Sequence, residues 1–99
     1  MMDVDFSGSA VVVTGGAGGI GRAIAKACAA AGARVAVLDV KHEETASLLE
    51  ELPGEGHLCV TGDAGVEEDV RFFAEKVLEH FGRVDVLVNN ACITRHGIL

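Results

Sequence analysis

The sequence has 99 residues, of which 49% are hydrophobic and 23% charged, and its formal net charge is −7. This size and composition are typical of one small globular domain and exclude an intrinsically disordered chain. The acidic balance argues against nucleic acid or an anionic membrane as a partner, and no apolar stretch is long enough to span a bilayer. The N-terminus lacks the apolar segment of a signal peptide, so we expect a cytoplasmic location.

The predicted strands and helices alternate along the whole chain. In chain order we predict a strand at 10–14, a helix at 19–31, a strand at 34–38, a helix at 43–52, a strand at 57–61, a helix at 66–81 and a strand at 83–88. Such alternation is typical of an α/β fold with a parallel sheet and right-handed crossovers.

The apolar residues of each predicted helix recur at helical spacing and predict the face that packs on the sheet. In the first helix these residues are Ile20, Ala23, Ile24, Ala27, Cys28 and Ala31, in the second Leu48, Leu49 and Leu52, and in the third Val66, Val70, Phe73, Ala74, Val77, Leu78 and Phe81. Gly82 follows the third helix and is a natural C-terminal stop.

Glycines are concentrated between the first strand and the first helix. The segment contains Gly15, Gly16, Gly18, Gly19 and Gly21, five of the 13 glycines in the chain. A glycine turn before a helix presents free N–H groups and the positive end of the helix dipole to an anion. The pattern therefore predicts a site for a dinucleotide pyrophosphate, and the alternative is a tight turn whose glycines serve only close packing.

Polar residues end the other three predicted strands. Asp39 ends the second strand, where a carboxylate would bind the ribose hydroxyls and repel a 2′-phosphate, which favours NAD over NADP although Lys41 is nearby. Asp63 ends the third strand, where it could accept a hydrogen bond from adenine or simply cap a turn. Asn89 and Asn90 end the fourth strand and should lie close to the glycine loop, unless they form an ordinary Asn turn.

The cysteines and histidines give no sign of a disulfide framework or of a metal site. Cys28, Cys59 and Cys92 are odd in number and have no paired spacing, so we expect reduced and mostly buried thiols. His57 and Cys59 could share one face of a strand, but two ligands do not make a metal site. No metal is therefore predicted.

The motif Thr14-Gly15-x-x-x-Gly19-x-Gly21, together with Asp39, Asp63 and Asn89-Asn90-Ala91, resembles the short-chain dehydrogenase/reductase family in its NAD-preferring form. The resemblance covers nearly the whole chain. It implies a Rossmann-like doubly wound parallel sheet with strand order 3-2-1-4, truncated after the fourth strand. Residues 1–99 would then form part of an NAD(P)-binding Rossmann domain.

The resemblance also implies roles for particular residues. The amides of the glycine turn would hold the pyrophosphate, Asp39 the ribose and Asp63 the adenine edge, with Val40 and Ala64 lining the adenine pocket. The other strand end would place Asn89 and Ala91 against the nicotinamide-side ribose, while Asn90 helps to hold the central sheet. The complete implied set is Gly15, Gly16, Ala17, Gly18, Gly19, Ile20, Gly21, Asp39, Val40, Asp63, Ala64, Asn89, Asn90 and Ala91, and Cys92 stands where the family usually has glycine.

Members of the family carry a catalytic serine and a Tyr-x-x-x-Lys pair after the fourth strand, whereas this sequence contains no tyrosine. We therefore predict no catalytic residue here. The chain is interpreted as the NAD-binding portion of an oxidoreductase that acts, in full-length form, on a small-molecule alcohol or carbonyl substrate as a homo-oligomer. By itself it should be inactive and marginally stable, with an open fourth-strand edge. The alternative is a non-catalytic dinucleotide-binding or interaction module.

Overall fold

The computed structural model describes residues 5–90. Its elements are β1 (Ala10–Thr14), α1 (Gly19–Ala30), β2 (Arg34–Asp39), α2 (His42–Glu51), β3 (Leu58–Thr61), α3 (Glu67–Phe81) and β4 (Val86–Asn89). The strands form one parallel sheet in the order β3-β2-β1-β4. The predicted α/β fold and strand order are confirmed.

The strand register brings the carboxyl ends of the four strands to one edge of the sheet. Thr14 at the end of β1 lies between Leu38 of β2 and Asn89 of β4, and Asp39 pairs with Thr61 at the end of β3. Because all strands run in the same direction, the segments that follow them leave from this common edge. That edge is where ligands bind in open α/β sheets.

The helices cover the two faces of the sheet unequally. On one face, α1 and α2 bury a core formed by Val11, Val13, Ala25, Ala29, Ala33, Val35, Val37, Leu48 and Leu52. On the other face, α3 alone buries a core formed by Ala10, Val12, Ala36, Leu38, Phe73, Val77 and Phe81. The sheet therefore has two helices on one side and one helix on the other within residues 5–90.

The predicted face of α1 is only partly correct, because Ile24, Cys28 and Ala31 are half-buried but Ile20, Ala23 and Ala27 are exposed. The residues that the helix buries are Gly21, Ala25 and Ala29, spaced four apart, whereas Ile20 is 72% exposed. Small residues on the buried side allow the helix to lie close to the strands, and this determines the face in contact. The apolar spacing starting at Ile20 predicted a face that only borders the buried one, and of its residues Cys28 packs against the core.

The predicted apolar faces of the other two helices are wider than the surfaces they bury. In α2, Leu48 and Leu52 are buried but Leu49 is exposed. In α3 the buried residues are Phe73, Val77 and Phe81, and the exposed members of the predicted face are Val66, Val70, Ala74 and Leu78. Because α3 is alone on its face, the sheet covers only part of its apolar stripe.

The fourth strand begins three residues later than predicted, at Val86. The guanidinium of Arg83 contacts Asp85 Oδ1 at 2.6 Å, and Asp85 Oδ2 accepts a hydrogen bond from the buried Ala10 N–H at 2.8 Å. This hydrogen bond lowers the pKa of Asp85. The segment before Val86 is therefore a bend held by side-chain contacts, although the apolar Val84 resembles a strand residue. The other element ends match the prediction or differ from it by one residue.

Candidate functional site: a cleft at the carboxyl edge of the sheet

A cleft of about 440 Å³ opens at the carboxyl edge, between the glycine loop and the ends of β2 and β3. The predicted cofactor-binding residues that line it are Gly15, Gly18, Gly19, Asp39, Val40, Asp63, Ala64 and Asn90. Residues that the sequence did not predict also line it, namely Leu38, Lys41, Glu44 and Gly62. The structure thus brings most of the predicted set into one concave site.

Four members of the predicted glycine turn do not line the cleft. Gly16, Ala17 and Gly21 are buried, so they shape the loop from beneath. Ile20 is 72% exposed in the first turn of α1. The backbone of this turn, rather than its side chains, is what the loop presents to the cleft.

Gly15 and Gly21 hold the start of the loop against β4. Gly15 has a φ of 70°, in the region that favours glycine. Its N–H donates to the Leu38 carbonyl at 2.7 Å, and its carbonyl accepts from Asn90 Nδ2 at 3.1 Å. A Cβ on Gly21 would collide with this Gly15 carbonyl oxygen and lie 2.6 Å from Asn90 Nδ2. Glycine at position 21 is therefore required by close approach.

Both main-chain polar groups of Ala17 form hydrogen bonds. Its N–H donates to Asp39 Oδ2 at 3.1 Å, and its carbonyl accepts from Arg22 Nη1 at 2.8 Å. The residue is only 1% exposed. Because peptide units are planar and trans, these two contacts define the orientation of the peptide planes before and after Ala17.

The N-terminus of α1 faces this site without a side-chain cap. Gly18 is the N-cap residue and has extended backbone angles. No side chain makes a capping hydrogen bond there, and the first turn of α1 contains no acidic residue. The first N–H groups of a helix have no intrahelical acceptor and carry the positive end of its dipole. Within residues 5–90 this end is therefore equipped to bind an anion.

Asp39 lines the cleft at the end of β2, next to the glycine loop. Its Oδ2 accepts from Ala17 N–H, and its Oδ1 accepts from Lys41 N–H at 3.0 Å. Its main-chain carbonyl accepts from Gly62 N–H at 2.8 Å, which ties β2 to the end of β3. Each carboxylate oxygen can accept more than one hydrogen bond. The carboxylate therefore keeps capacity for the hydroxyl groups of a ligand.

Lys41 and Glu44 add opposite charges beside Asp39. Lys41 Nζ lies 3.9 Å from Glu44 Oε2 in an exposed ion pair. The same Glu44 oxygen is 3.2 Å from the position that a Cβ on Gly18 would occupy. Lys41 is visible in the sequence two residues after Asp39, but the approach of Glu44 depends on how α2 turns back toward the loop.

Asp63 lies in the cleft and also forms a turn. Its Oδ1 accepts from Gly65 N–H at 2.7 Å, and its carbonyl accepts from Val66 N–H at 2.9 Å. Asp69, in the first turn of α3, accepts from the Asp63 N–H at 2.9 Å. The contacts of Asp63 are therefore those of a turn residue. Its side chain nevertheless lies in the wall of the cleft.

The two asparagines at the end of β4 lie on different sides of the sheet. Asn90 lines the cleft, and its N–H donates to the Thr14 carbonyl at 3.1 Å. Asn89 lies on the α3 side, where its Oδ1 accepts from Thr14 Oγ1 at 2.8 Å. This difference follows from the alternation of side chains along a strand. Ala91, the next predicted residue, lies outside the described residues.

A second concavity of about 430 Å³, here called the apolar groove, lies on the α3 face of the sheet. It is lined by Val12, Thr14, Leu38, Ala64, Val70, Phe73, Ala74, Val77, Leu78, Val84, Leu87 and Asn89. Leu78 is 58% and Leu87 64% exposed. Large apolar side chains at the rim and few polar groups distinguish this groove from the cleft.

Three further observations limit the chemistry of the described residues. Within 5–90, no group of three or more His, Cys, Asp or Glu side chains could hold a metal ion. Cys28 and Cys59 are free, half-buried thiols, and burial raises the pKa of Cys59 to about 11. None of the helices between residues 5 and 90 has the length and apolarity needed to cross a membrane.

Comparison with known proteins agrees with this geometry. The family profile described as short chain dehydrogenase matches residues 9–98. Zerumbone synthase of Zingiber zerumbet is 40% identical over 95% of this chain and 36% of its own length. D-threitol dehydrogenase of Mycolicibacterium smegmatis is 41% identical over 95% of this chain and 38% of its own length. The chain thus spans little more than a third of these relatives.

Solved structures are similar over the same region. A short chain dehydrogenase from Bacillus anthracis has a TM-score of 0.80 and 32% identity, over 85% of this chain and 35% of its own. The 3-ketoacyl-(acyl-carrier-protein) reductase of Brucella melitensis, solved in complex with NADH, has a TM-score of 0.79 and 32% identity, over 84% of this chain and 34% of its own. With its sheet order, glycine loop and matching family profile, this chain belongs to the short-chain dehydrogenase family.

Proposed function

We propose that this chain binds NAD as the cofactor-binding portion of an oxidoreductase acting on a small-molecule alcohol or carbonyl compound. The observation that carries the proposal is that the uncapped N-terminus of α1 and the carboxylate of Asp39 lie in the same cleft. One end of the cleft suits a phosphate group and the other suits a ribose. The complex of the Brucella melitensis relative with NADH supports a nicotinamide dinucleotide as the ligand.

The residues present fit such a cofactor chemically. Gly18 and Gly19 line the cleft with backbone alone, which allows close approach of a diphosphate. Asp39 supplies acceptors for the ribose hydroxyls. We assign the adenine side of the pocket to Val40, Asp63 and Ala64, which line the same wall. When bound, the nicotinamide supplies or accepts the hydride of the reaction.

NAD is favoured over NADP because Asp39 would lie against the ribose 2′ position. A carboxylate accepts hydrogen bonds from hydroxyl groups but repels a phosphate. Glu44 adds a second carboxylate at the cleft and neutralises Lys41, the cation that lies beside it. A 2′-phosphate would therefore meet net negative charge.

The residues that follow Val88 enter the proposal by resemblance to the family. Asn89 and Ala91 are proposed to lie near the nicotinamide-side ribose, and Asn90 to hold the glycine loop through Gly15. We also propose a homo-oligomeric and cytoplasmic protein. Exposed apolar groups on α3 and β4 support the former, and the free thiols of Cys28 and Cys59 support the latter.

Titration of the full-length protein with NAD and NADP tests the cofactor assignment. We expect Asp39→Ala to weaken the affinity for NAD by about 10- to 100-fold, because it removes hydrogen bonds to a charged acceptor. The preference for NAD over NADP should become smaller. Glu43→Ala is the matched control, since Glu43 is exposed and does not line the cleft. Unchanged NAD affinity in the Asp39 variant would remove Asp39 from the site.

Activity separates an oxidoreductase from a non-catalytic binding module. The full-length protein, supplied with NAD and a panel of alcohols, should produce reduced nicotinamide, which is followed by its absorbance. Tight NAD binding with no turnover across alcohols and carbonyl compounds in either direction would favour the module.

A further inference from the structure

The side chain of Arg22 links the glycine loop to α2. Arg22 lies in the first turns of α1 and its side chain is 22% exposed. One guanidinium nitrogen, Nη1, donates to the Ala17 carbonyl at 2.8 Å. The other, Nη2, lies 2.7 Å from Glu51 Oε2 and 3.4 Å from Ser47 Oγ, both on α2. The planar guanidinium can make these contacts in two directions at once.

The α2 end of this link is itself held in place. Glu51 also accepts from Lys26 Nζ at 3.2 Å and from Ser47 Oγ at 3.1 Å. Hydrogen bonds from Arg22 foremost, and then from Lys26 and Ser47, lower the pKa of Glu51 to about 2. The carboxylate is therefore ionised at neutral pH, and the guanidinium is always charged, so the pair persists across the physiological range.

The contact with Ala17 determines the direction of a cleft-lining amide. In a trans peptide the carbonyl and the following N–H point in opposite directions. When Arg22 draws the Ala17 carbonyl to one side, the Gly18 N–H is turned to the side away from Arg22. Gly18 lines the cleft and caps α1, so its N–H belongs to the group that would bind an anion.

We propose that Arg22 is a positioning residue of the cofactor site. Because its guanidinium is held by α2, it fixes the orientation of the peptide plane between Ala17 and Gly18, which presents the Gly18 N–H to the cofactor pyrophosphate. The inference rests on the proposed NAD-binding function. Arg22 contacts the loop and α2, whereas Lys26, one turn further along α1, has Glu51 as its only polar partner among residues 5–90. The two residues share their partner on α2 but differ in their access to the loop.

That difference provides a matched pair of variants for the full-length protein. Affinities for ADP-ribose, which carries the pyrophosphate, and for adenosine, which does not, are measured for Arg22→Gln and Lys26→Gln. We expect Arg22→Gln to weaken the affinity for ADP-ribose by about five- to tenfold, because the loop is no longer preorganised. The affinity for adenosine should not change. Lys26→Gln should leave both affinities within about twofold of the wild type.

Hydrogen exchange of the ligand-free protein gives a readout of the loop itself. The Ala17 amide, which donates to Asp39 Oδ2, should exchange faster in Arg22→Gln and at the wild-type rate in Lys26→Gln. Glu51→Gln leaves Arg22 in place but weakens its anchor, so it should accelerate exchange less than Arg22→Gln does. This variant keeps the proposal testable if Arg22→Gln does not fold.

Several results would overturn the positioning role. These are unchanged exchange and ADP-ribose affinity in both Arg22→Gln and Glu51→Gln, an equal loss in Lys26→Gln, or a proportional loss of adenosine, which would indicate general distortion of the cleft. If wild-type protein bound neither NAD nor ADP-ribose, the proposed function would fail. The exchange rates would still decide whether Arg22 orders the loop.

Discussion

The cleft and the apolar groove are neighbours that share Leu38 and Ala64 in their linings, but they are built differently. In the cleft, main-chain groups of Gly15 and Ala17 each have a defined partner on β2, α1 or the end of β4. The groove is formed by apolar side chains of β1, β4 and α3, and Leu78 and Leu87 remain more than half exposed. One site is defined by directional contacts and the other by apolar surface.

This difference explains how the two regions respond to sequence change. Hydrogen bonds depend on direction, so the cleft should be sensitive to a single added methyl group or a lost charge. Apolar contacts depend on buried area, so a groove residue should matter in proportion to its burial. Variants that alter one region at a time can test this contrast.

The largest effect is expected at the floor of the groove. Phe73 is 4% exposed whereas its neighbour Phe72 is 51% exposed. Phe73→Ala should lower the free energy of unfolding by about 3–5 kcal/mol through lost burial and a cavity, and Phe72→Ala by less than about 1 kcal/mol. Chemical denaturation measures both. Equal losses would mean that the exposed side of α3 is also covered in the protein in solution.

A smaller effect is expected in the glycine loop. Gly21→Ala introduces a Cβ that collides with the Gly15 carbonyl oxygen and approaches Asn90 Nδ2. The backbone must shift, at a cost of about 1–3 kcal/mol of unfolding free energy. In Gly18→Ala the new Cβ meets only the flexible carboxylate of Glu44, at 3.2 Å, so the change should stay within about 0.5 kcal/mol. Thermal denaturation compares them, and a tolerated alanine at 21 would contradict the close approach.

The link between α1 and α2 predicts a pH dependence. The pKa of Glu51 is lowered from its ordinary value of 4.5 to about 2 by hydrogen bonds from Arg22, Lys26 and Ser47. The folded state therefore prefers the carboxylate, whose stabilising contribution is present above pH 4.5 and is lost as the pH falls toward 2. Glu51→Gln should melt below the wild type at neutral pH, and the difference should shrink over this window. Parallel curves, or the same behaviour in Glu50→Gln, would argue against the link.

The smallest effect concerns the charge beside Asp39. Glu44→Gln removes a carboxylate from the cleft and releases Lys41 from its exposed ion pair. We expect the affinity for NADP relative to NAD to rise by about two- to fivefold, the range of exposed ion-pair energies. Glu43→Gln serves as the control because Glu43 does not line the cleft. A ratio unchanged in both variants would leave Asp39 as the carboxylate that discriminates at this site.

The sequence predicted the fold more accurately than the contacts of individual side chains. The order of strands and helices follows from local periodicity. The glycine loop and Asp39 are recognisable because each lies at the end of a predicted strand, at a spacing that can be read directly from the sequence. The buried side of α1 could not be predicted in the same way. Alanine and glycine are nearly neutral in an apolar pattern, and only the close approach of helix and sheet selects Gly21, Ala25 and Ala29.

In the candidate site, too, some features could be predicted from the sequence and others could not. Strand ends are predictable because a parallel sheet brings them to one edge, and eight of the predicted residues do line the cleft there, namely Gly15, Gly18, Gly19, Asp39, Val40, Asp63, Ala64 and Asn90. The contribution of Arg22 was not predictable, since a basic residue on a helix is most often a solvated one. Its partners lie on α2, and no local pattern pairs them with the loop.

By itself, the sequence determined the order of the elements, the position of the glycine loop and the carboxylate at the end of β2, because each depends on residues close together in the chain. The tertiary structure decided which helix faces are buried, placed Asn89 and Asn90 on opposite sides of the sheet, and joined Arg22 to both the loop and α2. Those outcomes depend on packing between distant segments. Burial and hydrogen-bond direction, which exist only after the sheet has formed, determine them.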